Sequence, residues 1–191
     1  MTLAELRASQ PEFAMPKIIL PTRSLLTLAG ASLACAALAQ GAAVPAPDRA
    51  FAEKAAAGGA AEVEGGKVAE QRAANDKVKQ FGARMVQDHG KANDELKQIA
   101  SGKGLQLPSA PDAHDQQEMA RMQKLSGAEF DRAYMDHMVK DHKKDIAEFK
   151  KQASSGKDPE IKAFAAKTLP TLQEHLKMAE AADAEVKKAK H

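Results

Sequence analysis

The chain has 191 residues, 4% aromatic side chains and no Trp. Ala, Lys, Glu and Gln are abundant, a composition that suits one all-helical domain and argues against a sheet protein. The formal net charge of +2 gives no basis for binding nucleic acid or an anionic membrane, and the lack of any alternating strand pattern excludes an outer-membrane barrel.

The N-terminus reads as a targeting segment. Lys17 and Arg23 supply its positive region, Leu25 to Leu38 its apolar region, and Ala37-Leu38-Ala39 a small-residue cleavage site before Gln40. Residues 1–39 are therefore expected to be a signal peptide, with Met15 as an alternative start, followed by a linker over 40–47. The apolar run is too short and too rich in small residues for a membrane span of about 20 residues. Cleavage removes the single cysteine, Cys35, so the exported chain has no disulfide. It also removes Arg7, Lys17, Arg23, Glu5 and Glu12, which leaves 25 basic against 24 acidic residues. A periplasmic location follows, with no membrane span after cleavage; the sequence assigns no partner, and an envelope component is one candidate. The alternative is a lipoprotein anchored through Cys35, with Ser32 standing where its processing box expects an aliphatic residue.

Asp48 is placed to cap a first helix over 49–74, with Phe51, Ala52, Ala55, Glu62, Ala69 and Ala73 on one face. Gly58-Gly59 and Gly65-Gly66 weaken it by about 1 kcal/mol per Gly against Ala and mark a place where it could break. Asn75 caps a second helix over 76–101, whose stripe Val78, Phe81, Met85, His89, Ala92, Leu96 and Ile99 is a bundle seam. After a connection at 104–111, Asp112 to Lys124 forms a short amphipathic piece. Ser126 to Glu129 has the form of a capping box and opens a third long helix over 127–154, with Tyr134, Met138, His142, Phe149 and Ala153 on one face. Asp158-Pro159 starts the last, over 159–189. That helix turns Ile161, Ala165, Thr168, Leu172, His175, Leu176, Ala179 and Val186 inward and should bend at Pro170, which has no N–H for the carbonyl of Ala166.

Glu62, His89, His142 and His175 each fall within about 1.5 positions of the midpoint of a different long helix, or about 2 Å along the axis. In a bundle of antiparallel helices they share one level. Three imidazoles and a carboxylate suit Zn, Fe, Mn or Cu. An ion held this way should be released as acid protonates the imidazoles near their ordinary pKa of about 6.5. Asp88, Asp141 and Glu174 cannot share the inward direction of the histidines that follow them, so they flank the site, where a carboxylate from a neighbouring helix can hold the second ring nitrogen. The glycines around Glu62 could leave room for a ligand. The same four residues also read as a buried network that satisfies polar groups and fixes helix register.

His137 points away from the seam of Met138, and His114 and His191 lie in a loop and a tail, so all three read as surface residues. Met85, Met119, Met122, Met135, Met138 and Met178 are spread over the seams as core filling rather than clustered for Cu(I). The Lys-rich stretches alternate with acids and read as solvated faces.

The sequence resembles a bacterial family of exported proteins known as domain of unknown function 4142, whose members are labelled outer-membrane or periplasmic proteins. The resemblance covers about residues 48–189. It rests on Phe51 with Ala60-Ala61-Glu62-Val63, Val78-Lys79-Gln80-Phe81 with Met85 to His89, Phe130 to Met135 with Asp141-His142, and Leu169 to Leu176. It implies a ferritin-like bundle and assigns no biochemistry. Di-iron bundles carry Glu-x-x-His on two helices, but the residues three before His89, His142 and His175 are Val86, Val139 and Leu172, so ferroxidase chemistry is not inherited with the fold.

The reading is an all-α, up-and-down four-helix bundle over 48–189, ferritin-like, with a short extra helix between its second and third long helices. It is read as a non-enzymatic binding or envelope-stress module with no catalytic residue assigned. The alternative is a protein that binds a divalent transition metal through Glu62, His89, His142 and His175, and a third reading is an oxidoreductase with a mononuclear centre.

Overall fold

A computed structural model describes residues 43–188. The expected signal peptide, its cleavage site, Cys35 and His191 lie outside the described residues. Five helices follow in order: α1 (Ala46–Arg72), α2 (Asp76–Gly102), α3 (Ala113–Met122), α4 (Gly127–Ser155) and α5 (Pro159–Lys188). There is no strand among the described residues, and no helix there is long and apolar enough to cross a membrane.

The bundle consists of two helical hairpins, α1–α2 and α4–α5. At one end the α1–α2 turn meets the start of α4, where the Asp131 carboxylate accepts from the backbone N–H groups of Ala74 (3.1 Å) and Asn75 (2.9 Å). The Asn75 side chain also donates there to Glu185, near the end of α5. At the other end Lys103, just past α2, pairs with Asp158 (2.9 Å) at the α4–α5 turn. The connection 103–126, which carries α3, therefore crosses from one end of the bundle to the other, and α2 and α4 run the same way. Four long helices with a single long crossover form the connectivity of ferritin-like bundles.

Local signals explain most of the boundaries. Asn75 caps α2 by accepting from Lys77 N–H, and Asp158 caps α5 by accepting from Glu160 and Ile161 N–H. Two expected caps differ. α1 starts at Ala46, three residues before the expected 49, with Pro45 at its N-cap. Asp48 thus lies inside the helix, where it is buried and accepts from Gln152 Nε2 and from Lys157 N–H. Ser126 holds the N-cap position of α4 but makes no side-chain cap. Asp48, in the first turn of α1, and Asp131, just beyond the first turn of α4, each close the turn of the opposite hairpin.

α1 runs unbroken through both glycine pairs. A Cβ on Gly66 would come within 2.4 Å of Gly82 O, and one on Gly82 within 2.7 Å of Gly66 O. Two glycines facing each other let the backbones of α1 and α2 approach closely, which offsets their low helix propensity.

The interior is apolar above and below a polar layer. Phe81, Met85, Phe130, Tyr134, Met135 and Ala179 belong to one cluster, and Leu96, Ile146, Phe149, Ile161, Phe164 and Leu172 to the other. Along each long helix the change from one cluster to the other occurs at Glu62, His89, His142 or His175. All four are buried, at 1%, 6%, 0% and 1% exposure.

Candidate metal centre

Each of the four residues comes from a different long helix, and bundle packing brings them together at the shared level expected from their spacing. The ring centres of His89, His142 and His175 are 5.9, 5.2 and 5.4 Å apart. One nitrogen of each ring can be chosen so that the three lie within 4.8 Å of one another. Imidazoles bound to one ion at 2.0–2.1 Å in tetrahedral directions hold their ring centres about 5 Å apart, so this spacing suits a single ion.

The hydrogen bonding divides the ring nitrogens into two kinds. His89 Nδ1 lies 2.7 Å from Glu62 Oε2, His142 Nδ1 lies 3.0 Å from the Met138 carbonyl, and His175 Nε2 lies 2.9 Å from Asp88 Oδ2. The Met138 carbonyl and the ionised Asp88 accept, so His142 Nδ1 and His175 Nε2 carry the proton, as His89 Nδ1 does when Glu62 is ionised, and the opposite nitrogen is then a bare lone pair. Those opposite atoms are His89 Nε2, His142 Nε2 and His175 Nδ1, and all three are buried without a partner. Buried polar atoms in native proteins are paired with few exceptions, so three orphaned lone pairs on neighbouring rings call for an explanation.

Glu62 Oε1 is a fourth orphan. It lies 3.4 Å from His142 Nε2 with no hydrogen bond between them, and because His142 is uncharged at neutral pH the separation marks closeness rather than an ion pair. Burial pushes the Glu62 carboxyl up to about 8, against the attraction of His142 and with added repulsion from Asp141 and Asp115. Burial likewise pushes His89 and His175 down to about 4 and lowers His142. At neutral pH the three imidazoles are uncharged, the form that binds a metal.

Residues 33–182 match the family described as Domain of unknown function (DUF4142). The chain belongs to this family. Among solved structures it is similar to a crystal structure of a DUF305 fragment from Deinococcus radiodurans, at 12% identity and a TM-score of 0.65, covering 75% of this chain and 99% of that one. That likeness is one of fold. No curated protein matches the chain.

In this DUF4142 chain the flanking role expected of Asp88 takes a definite form, since Asp88 on α2 holds His175 on α5. Glu174 is exposed, and His142 uses a carbonyl of its own helix instead of a carboxylate. The glycines near Glu62 mostly admit neighbouring protein rather than a ligand: Gly59 faces the Asn93 side chain, Gly65 contacts Tyr134 and Met119, and Gly66 meets Gly82. Gly58 alone of the four faces open space. It lines a cavity of about 30 Å³ together with Glu62, His89, Asp145, Phe149 and Leu172.

Asp145 was not legible as a site residue from helical spacing around the histidines. Its carboxylate lies with those of Glu62 and Asp141 within 4.8 Å of one another. Burial pushes it up to about 9, with repulsion from Glu62 and Asp141 adding to the effect. One sequence signal does find it. Asp48 and Asp131, Glu62 and Asp145, Asn75 and Asp158, Val78 and Ile161, and Phe81 and Phe164 are all 83 residues apart, which makes Asp145 the counterpart of Glu62, although the same offset sets His89 against Leu172, His142 against Gly59 and His175 against Ala92.

Proposed function

We propose that this protein binds one divalent ion of the late first-row transition series, Zn2+ or Cu2+, through His89 Nε2, His142 Nε2 and His175 Nδ1. The observation that carries the reading is the pairing pattern: each ring has one nitrogen fixed by a partner and the other buried and bare. Fixing the far nitrogen sets the tautomer and raises ligand basicity, and three nitrogen donors favour these ions over Mg2+ or Ca2+. Glu62 steadies the site, since its Oε2 is held on His89 Nδ1 and orients that ring, while its Oε1 lies 3.4 Å from His142 Nε2, the separation of two donors on one tetrahedral ion.

Binding rather than catalysis is the fitting role. A cavity of about 30 Å³ beside Glu62 and His89 holds a water and excludes an organic substrate. We place the site in an exported protein on the strength of Ala37-Leu38-Ala39 before Gln40; intact mass of the mature chain should correspond to a start at or near Gln40, and added acyl mass on Cys35 would establish the lipoprotein instead.

The test of the metal reading is equilibrium dialysis of untagged, chelator-treated protein against Zn2+, with Co2+ as a spectroscopic substitute. One ion per chain, a rise in Tm on binding and loss of both in His142→Ala are expected. If dialysed protein retains no ion and Tm is unmoved, the four residues form only a polar network and the proposal falls.

A further inference from the structure

Beside the three histidines the bundle collects carboxyl groups that no Lys or Arg pairs. Asp141 and Asp145 stand one turn apart on α4, and Glu62 reaches them from α1, with carboxylate oxygens within 4.8 Å of one another. Asp115 on α3 is close enough to add its repulsion to both Glu62 and Asp141. Among the described residues no Lys or Arg pairs with any of these four carboxylates, although fifteen ion pairs occur elsewhere or through the histidines.

A cluster of acids alone would prove nothing, since carboxylates on a surface are solvated. Here one member is withdrawn from solvent: Glu62 is 1% exposed, its Oε2 is taken by His89, and its Oε1 is buried without a hydrogen-bond partner. The cavity of about 30 Å³ has Glu62 and Asp145 in its wall, which gives an ion room. The 83-residue offset sets Asp145 of α4 against Glu62 of α1, and the two carboxylates meet between these neighbouring helices.

We propose that Glu62, Asp141 and Asp145 form a second cation site, all oxygen in its donors, for a hard divalent ion such as Mn2+ or Mg2+. Three carboxylates and no nitrogen select such ions, in contrast to the three imidazoles next to them. Glu62 then joins the two sites, with Oε2 steadying His89 and Oε1 facing the hard ion. The proposal extends the metal reading of the histidines but stands on different atoms, and the two can fail separately.

The experiment uses the full exported chain, first loaded with Zn2+ and then titrated with Mn2+, with free Mn2+ followed by its electron paramagnetic resonance signal. One bound Mn2+ per chain is expected without release of Zn2+. Asp145→Asn and Asp141→Asn, which keep side-chain shape and remove repulsion, should each weaken Mn2+ at least about tenfold, a loss of about 1.4 kcal/mol in binding, with the Co2+ spectrum of the histidine site unchanged. His142→Ala should do the reverse. Zn2+ binding with no Mn2+ uptake, Mn2+ that Zn2+ displaces one for one, or Mn2+ binding that survives the Asp141/Asp145 double substitution would each overturn the second site. Mn2+ uptake lost on Asp145→Asn in a protein that takes no Zn2+ would keep the second site and remove the first.

Discussion

Asp88 and His89 are neighbours in sequence that serve two different helices: His89 turns its ring into the bundle centre, while Asp88 reaches across to His175 on α5, with Oδ2 at 2.9 Å from Nε2. Burial raises the Asp88 carboxyl, but hydrogen bonds from Arg84 and His175 outweigh it and hold the group below the usual carboxylate range. It is thus ionised at neutral pH and able to fix the His175 tautomer. Removing such a partner typically costs 10- to 100-fold in metal affinity. Asp88→Ala should weaken Zn2+ by about that factor in a competition titration while leaving helix content unchanged. An affinity equal to the parent's would show that His175 needs no help in finding its orientation.

The metal-free protein should lose stability as pH rises above about 6.5. The sign follows from two opposed groups. His89 and His175 have folded values of about 4, below the ordinary 6.5, so the unfolded chain binds more protons between those limits and acid destabilises the fold. Glu62 and Asp145 have folded values of about 8 and about 9, above their ordinary values, so the fold binds more protons up to that range and their contribution is lost as pH rises through it. Below 6.5 the two effects oppose each other, and above it only the carboxyls act. Tm measured from pH 6.5 to 9 in chelator should fall, and saturating metal should flatten the slope.

Burial also moves the acid limit of metal binding. The ordinary imidazole value would have an ion released near pH 6.5, whereas rings held neutral down to about 4 should keep it well below that. Dialysis at pH 5.5 tests this: retention of Zn2+ is expected, and complete release would mean that the rings are more solvated than their burial implies.

Glycines within the helices should respond to substitution in opposite directions. At Gly90 a Cβ meets nothing within 4 Å, so Gly90→Ala should stabilise the protein by about 1 kcal/mol through helix propensity. At Gly66 a Cβ would lie 2.4 Å from the backbone oxygen of Gly82. The helices must then separate, and Gly66→Ala should destabilise by about 1 to 3 kcal/mol as overpacking does. Urea denaturation of both variants decides it, and equal effects would mean that α1 and α2 are not locked at this crossing.

Leu172 is 1% exposed in the lower core cluster, one turn from His175. Leu172→Ala should cost about 2 to 5 kcal/mol, read by the same denaturation. A change near zero would show that the wall of the polar layer is loose.

The sequence by itself determined the helices and their inward faces, because helical periodicity and the Asn75 and Asp158 caps act within a few residues of chain. It also determined the level of Glu62, His89, His142 and His175, since a rise of 1.5 Å per residue converts counting into height. It could not show that Asp48 lies inside α1: Asp is a good N-cap residue, and its use against Gln152 and Lys157 of the far hairpin depends on contacts more than 100 residues away. The direction of α4 was equally out of reach, because a 24-residue connection can return or cross and only the pairing of Asp131 with the α1–α2 turn decides which. Which carboxylate holds which ring was likewise decided by packing. Asp88 and Asp141 occupy the same place before a histidine, yet α5 lies within reach of Asp88, whereas Asp141 meets Glu62 and Asp145. A helix fixes the angle at which a side chain leaves its axis, and only the neighbouring helices fix what it finds there.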